Sequence, residues 1–304
     1  MKMNKSEQFV HDLARKAFMS IWTYPSPIGK NASKELCDVL VVCQPDVIIF
    51  SVKEIELKVD GDPETQIARW KRRAVDESVI QIRGAERRLR SVTEVTNSDG
   101  SRGVDLGPLP QRAIRRIAVA LGSGGAVPFQ SKDYGGGFVH VFDEQTIWLL
   151  LKELDSISDL VEYLDAREEL LSGGIEGALI ASEEDLLAAY FIETHTFDEL
   201  KKGNYHLRIL TGSWDEFAKR PEYKAKKVAD EVSYVWDRLI DQVNADCAEG
   251  KMEFGGDLAS IDAITRIMAR EPRLLRRMLA KAFLQFLGDD TRRSRLVAGQ
   301  SGSS

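Results

Sequence analysis

Cysteine, histidine and long apolar runs are what this sequence has least of. Its 304 residues include 3 Cys and 4 His. An odd number of cysteines cannot close a full disulfide framework, and Cys37 and Cys43 fall in an apolar stretch where reduced thiols pack as small hydrophobes. Such usage is expected of a cytoplasmic protein. No C-x-x-C or H-x(3–5)-H spacing occurs, and His11, His140, His195 and His206 are scattered, which excludes an encoded zinc site. His140, in FVHVFD, alternates with Phe138 and Phe142 and reads as a satisfied strand histidine. No segment approaches the ~18 apolar residues of a membrane span. The start, MKMNKSEQFVHDLARKAF, is too interrupted by charge for a signal peptide. The pattern G-x(4)-G-K-[ST] is missing, which argues against a P-loop NTPase, and GSGGAVPF and YGGGF read as loops. Excess positive charge is missing too: a net charge of −6 excludes a generally cationic nucleic-acid binder and leaves room only for a local basic surface.

What is present is an ordinary globular composition, 43% hydrophobic and 30% charged, with length enough for two domains. The most informative stretch is Gly29 to Lys58, GKNASKELCDVLVVCQPDVIIFSVKEIELK. It reads as a helix end carrying Glu35, a strand from Asp38 to Cys43, a turn at Gln44-Pro45-Asp46 and a strand from Val47 to Leu57. Both strands are apolar at nearly every position, so both faces should be covered. Against that background Glu35, Asp38, Ser51 and Lys53 are polar groups that packing does not ask for. Ser51 and Lys53, two apart, share a strand face, whereas Glu54 belongs to the opposite one. Antiparallel pairing about Pro45 brings Asp38 near both, and Glu35 is close enough to add a second carboxylate. Two acids and a lysine at a strand end suit Mg²⁺ (or Mn²⁺), with the lysine placed to orient water and offset phosphate charge. The competing reading is a buried ion pair of Asp38 or Glu35 with Lys53.

The following helix should start at Asp62-Pro63-Glu64 and run to about Arg90. Ile67, Trp70, Val75, Val79, Ile82 and Leu89 form its buried stripe. A second stripe of Ala74, Ser78, Gln81 and Ala85 lets it lie close to the sheet and aims Gln81 inward. It carries eight basic residues against Asp76, Glu77 and Glu86. Such a run is either a solvated face or a phosphate-tracking surface, for which Arg69, Arg72, Arg73 and Arg88 are the candidates.

At these residues the chain resembles the PD-(D/E)xK nuclease superfamily, with its restriction-endonuclease-like fold. The resemblance covers about residues 1–155. It implies that Glu35 matches the helix acid, Asp38 the metal-binding acid of the first core strand and Lys53 the lysine of the second. It also implies that the Val52 carbonyl is a metal ligand and that Gln81 is the glutamine near the metal. Ser51 departs from the pattern, standing where an acid is expected, and Glu35 is the natural substitute. The implied activity is Mg²⁺-dependent phosphodiester hydrolysis on DNA; restriction, phage defence or repair are the roles such kinship implies. The alternative is a nuclease-fold subunit without activity that binds nucleic acid or protein.

Elsewhere, Phe9, Leu13, Ala17 and Phe18 mark one face of an N-terminal helix, and SVTEVTNSDGSRGVDL a hairpin about Asp99-Gly100. RRIAVALGS and GFVHVFD read as strands, and Asp143 caps the helix EQTIWLLLKEL. The expected architecture is an α/β domain over 1–155, a mixed sheet flanked by helices, followed by a mainly helical domain over 156–304. That half should contain helices at Leu160–Leu171, Glu183–Ile192, Glu222–Glu249, Asp257–Ala269 and Arg273–Leu287, with HLRIL a possible strand. Arg266, Arg270, Arg273, Arg276 and Arg277 form a second basic patch, suited to DNA contact or to solubility. Through this half the chain could meet a protein partner or a second copy. GQSGSS reads as an unstructured tail.

Overall fold

The structure, a computed structural model, describes residues 3–29, 35–58, 60–97, 102–127, 130–173, 179–180, 182–198, 208–209, 211–252 and 258–300. The chain divides into two compact units, 1–217 and 218–304.

In the first unit α1 (Lys5–Phe18) opens on a capping box in which Asn4 and Glu7 satisfy each other's backbone amides. Its buried row is Val10, Ala14, Ala17 and Phe18. The expected stripe is thus shifted by one position at its start, because Phe9 stands at the rim of an apolar hollow with Trp148 and Trp214. Short strands β1 (Thr23–Pro25) and β2 (Ile28–Gly29) precede the predicted pair, β3 (Val39–Cys43) and β4 (Asp46–Glu54). The two run antiparallel from Cys43↔Asp46 to Val39↔Phe50. Beyond Glu54 the chain stays extended, Ile55 and Leu57 donating to the Leu121 and Gly122 carbonyls. The helical segment follows as α2 (Pro63–Trp70), a π turn (Lys71–Asp76) and α3 (Glu77–Leu89). Trp70, Val75, Val79, Ile82 and Leu89 are buried as expected, while Ile67, in the first turns, is only half-buried.

A hairpin of β5 (Glu94–Thr96) and β6 (Arg102–Asp105) joins β2 in a three-stranded sheet. Its predicted Asp99-Gly100 turn lies outside the described residues. Then come β7 (Ala113–Leu121), β8 (Lys132–Asp133), β9 (Phe138–Phe142) and α4 (Glu144–Glu153), the last capped by Asp143 as expected. The main sheet has the order β1-β3-β4-β7-β9-β8. It is mixed: β4, β7 and β9 are parallel and the other pairs antiparallel. One face, with Leu40, Val42, Val47, Ile49, Ala118 and Val139, packs on α3. Helices α1 and α4 cover the other, which explains why β3 and β4 are apolar on both sides.

The expected boundary at 155 is corrected to 217. The helices α5 (Ile157–Ser172) and α6 (Glu183–Ile192) belong to the first unit because a buried polar cluster ties them to β9. Arg167 of α5, fully buried, makes a two-pronged bond to Glu183 at 2.6 and 2.7 Å, and its third nitrogen meets His140 Nδ1 at 3.1 Å. Tyr163 donates to Glu183 at 2.6 Å and Ser131 accepts from Arg167 at 3.0 Å. Burial, and then the Arg167 charge, hold His140 well below its usual range, so it is the satisfied neutral histidine the alternation predicts, between Phe138 and Phe142. The predicted HLRIL strand exists as β11 (Arg208–Ile209), parallel to β10 (Leu179–Ile180), and α7 (Ser213–Lys219) contains the junction of the units.

The second unit consists of α8 (Pro221–Asp230), α9 (Tyr234–Ala248), α10 (Leu258–Ala269) and α11 (Arg273–Gln300). The single helix expected from Glu222 to Glu249 is divided by a 3₁₀ turn, Glu231–Ser233, where Asp230 is drawn to Lys226 and Arg277. The second basic patch is largely spent internally. Asp237 binds Arg273 at 2.7 Å and Arg276 at 2.6 Å, and Asp262 pairs with Arg266. Ile267, Leu274 and Met278 are exposed. The helix α11 extends through Gln300, and the rest of the expected tail, 301–304, lies outside the described residues. Among the described residues no helix is long and apolar enough to cross a membrane.

Candidate metal and phosphate site

Asp38 sits one residue before β3, its carbonyl accepting from Ser26 N at 2.9 Å and so extending the β1–β3 pairing. Alternation puts its side chain on the α3 face, with Ser51 and Lys53 of β4. The small residues Ala74, Ser78 and Ala85, all fully buried, let the helix approach, and Gln81 reaches the sheet from it. Asp38, 4% exposed, accepts at both carboxylate oxygens: Oδ2 from Val52 N at 2.5 Å and Oδ1 from Gln81 Nε2 at 2.8 Å. Ser51 Oγ, fully buried, donates to Gln81 Oε1 at 3.0 Å. In an extended strand a residue's N–H and C=O point to the same side, so the Val52 carbonyl also faces the side of Asp38, past the last β3–β4 pair. Glu54 is on the other face, bonded to Ser6 of α1.

Glu35 arrives differently from the expectation. It lies in extended backbone bridged to Ile28, not in a helix end; of the stretch before it, 30–34 lies outside the described residues. Two braces hold it: Leu36 N donates to Pro27 O at 2.8 Å, and Arg88 Nη1 donates to the Glu35 carbonyl at 2.9 Å. Its Oε1 is buried without a hydrogen-bond partner among the described residues. Burial raises the carboxyl above its ordinary 4.5; a Ser26 hydroxyl bond opposes this, and the Asp38 and Glu7 charges add to it. Ser26 itself adopts φ 44 between Pro25 and Pro27, a conformation rare outside glycine.

The Lys53 side chain is half-buried and, among the described residues, makes no hydrogen bond or ion pair. The buried-ion-pair reading therefore does not describe this site, since the oxygens of Asp38 are taken by Val52 and Gln81. Beyond Lys53, Arg69, Arg72 and Arg73 are exposed and line a groove of about 240 Å³ with Lys58 and Glu56. Trp70 forms its wall, fixed by an indole bond to Ile55 O at 2.7 Å. Arg88 is apart from them, tied to the Glu35 backbone. The sequence reading missed Ser26 and Lys58. A serine between two prolines and a lysine at a strand exit are the signals that could have found them.

Among the described residues no three His, Cys, Asp or Glu side chains cluster as a ready metal cage. The oxygen donors on offer are the Asp38 carboxylate, the Val52 carbonyl on its side, and the Glu35 carboxylate, near enough to feel the Asp38 charge. Hard oxygens with a buried, unpartnered Glu35 Oε1 fit a small divalent cation that retains water ligands. The chain matches no protein-family model, and comparisons with curated proteins and with solved structures find no match either.

Proposed function

We propose that this chain is a Mg²⁺-dependent nuclease that hydrolyses phosphodiester bonds, acting on DNA. The observation that carries the reading is the Glu35 Oε1 left unpartnered in a buried setting beside a carboxylate, Asp38, that is already held at both oxygens. A carboxylate kept above its ordinary range is poorly solvated unless a cation arrives. Glu35, Asp38 and the Val52 carbonyl would hold the ion, Mn²⁺ serving as a substitute for Mg²⁺. When bound it would polarise the phosphate and acidify a ligated water. Lys53, uncommitted and on the same face, orients that water and offsets charge on the phosphate. Gln81 steadies Asp38, and Arg69, Arg72 and Arg73 hold flanking phosphates. Kinship with the PD-(D/E)xK superfamily, and hence a role in restriction, phage defence or repair, rests on the motif resemblance alone.

The test is cleavage of plasmid and linear DNA with Mg²⁺ against chelator. Asp38→Asn and Lys53→Ala should each lower the rate by about 100-fold or more. Asp38→Asn keeps an acceptor for Val52 N, and Gln81 and Ser51 can turn round to suit it, so the fold is retained. Wild-type-like rates in both variants would defeat the reading.

A second reading, a nuclease-fold subunit without activity, is favoured by two observations. Ser51 stands buried and bonded where a third acid is expected, and the exposed Ile267, Leu274 and Met278 offer a partner surface. No cleavage in any divalent metal, with DNA binding or co-purifying protein retained, is its outcome.

A further inference from the structure

We propose that Ser51 is a positioning residue that fixes the Gln81 amide, and through it the Asp38 carboxylate, in place of the acid expected two residues before Lys53. The inference rests on the metal-site reading above. A carboxylate oxygen only accepts, so the end of Gln81 that meets Asp38 Oδ1 at 2.8 Å is the NH₂ group. The Gln81 carbonyl is thereby turned to Ser51, whose hydroxyl must donate across 3.0 Å. The chain runs one way, from Ser51 to Gln81 to Asp38. It ends on the oxygen opposite the one that Val52 N holds at 2.5 Å. With a donor at each oxygen the carboxylate plane has no freedom left, which is the condition for aiming its remaining lone pairs at an ion. Ser51 is fully buried between β4 and α3, so water is poorly placed to replace its hydroxyl.

The same chain explains why an acid would not serve at this place. A carboxylate at position 51 would face the Gln81 carbonyl, oxygen against oxygen. The amide would turn over and present its own carbonyl to Asp38. Serine and glutamine are therefore a matched pair, and the departure from the expected acid is compensated within the site.

The experiment is Mn²⁺ binding by calorimetry on the full chain, alongside the melting temperature without metal. Ser51→Ala and Gln81→Ala should each weaken Mn²⁺ about tenfold. The double variant should be no weaker than either single one, since both break one chain. Ser51→Thr, which keeps the donor, should restore affinity to within about threefold of wild type, whatever it does to the melting temperature. Unchanged affinity in Ser51→Ala, or additive losses in the double variant, would overturn the proposal while leaving the metal site standing. Absence of Mn²⁺ binding by the wild-type chain would overturn the metal site and this proposal together. Should Ser51→Ala fail to fold, Gln81→Ala at its half-buried position decides: unchanged affinity there sinks the idea.

Discussion

Among the described residues of the first unit, the buried polar clusters around Arg167 and around Asp38 are built on opposite principles. Around Arg167 every strong group is answered. Its nitrogens bind Glu183, His140 and Ser131, Tyr163 completes the Glu183 oxygens, and the Phe142 ring lies beneath the guanidinium. Around Asp38 the bonding is just as short, yet it stops before it is complete: Glu35 Oε1 has no donor and Lys53 no acceptor among the described residues. A saturated cluster has nothing left to offer a ligand and works as a clasp, here between β9, α5 and α6. An unsaturated one carries a standing cost that folding alone gives no reason to keep. What locates function is the group left unanswered, not how many polar groups are buried together.

The sharpest way to break the comparison is to remove one partner from each cluster. Glu183→Ala leaves a buried guanidinium facing a neutral histidine and should cost about 3–5 kcal/mol in chemical denaturation. Lys53→Ala removes a side chain that holds nothing and should change stability by less than about 0.5 kcal/mol. If the two variants lost similar stability, the distinction between clasp and site would collapse.

A middling effect is expected from Glu35, with a definite sign. Its carboxyl titrates above the ordinary 4.5 in the folded chain, chiefly because of burial. The folded state therefore binds the proton more tightly than the unfolded one. Metal-free stability from this group is present at acidic pH and is lost as pH rises from the ordinary value through the raised one. Glu35→Gln removes that loss. It should melt about 2 °C higher than wild type at pH 8, with no advantage at pH 4, while binding Mn²⁺ much more weakly. A stabilised variant with lost metal affinity would show a residue kept for its chemistry at the expense of the fold. Equal melting curves at both pH values would place the Glu35 carboxyl in water.

Much of this was legible in the sequence where one rule acted alone. Strand alternation put Ser51 and Lys53 on one face and Glu54 on the other, and small residues at Ala74, Ser78 and Ala85 announced the close helix that delivers Gln81. The errors came where tertiary partners decide. Glu35 read as a helix end, but its carbonyl is claimed by Arg88, 53 residues away, and its backbone bridges Ile28. The boundary at 155 was drawn where strands give way to helices; a buried arginine on α5 reaching back to β9 cannot be seen in composition. The arginines of the second unit read as a surface patch until Asp230 and Asp237, distant in sequence, are seen to bind them. Charge patterns along the chain reveal which residues are basic and leave open which are already paired.

That distinction sets the smallest expected effect. Of the basic residues on the helical segment, Arg90 is committed to Glu86 together with Arg116, and Arg88 braces Glu35. Arg69, Arg72 and Arg73 remain exposed along the groove beyond Lys53. Arg72→Ala should therefore weaken DNA binding only a few-fold, about equally for unrelated sequences, and reduce the slope of log affinity against log salt by about 1. Arg90→Ala, exposed on the same helical segment but already paired, should leave that slope where it was. Fluorescence anisotropy over a salt series reads both. Equal slopes for the two variants would mean that the groove does not meet phosphates, and that the free cations beside the site are there for solvation.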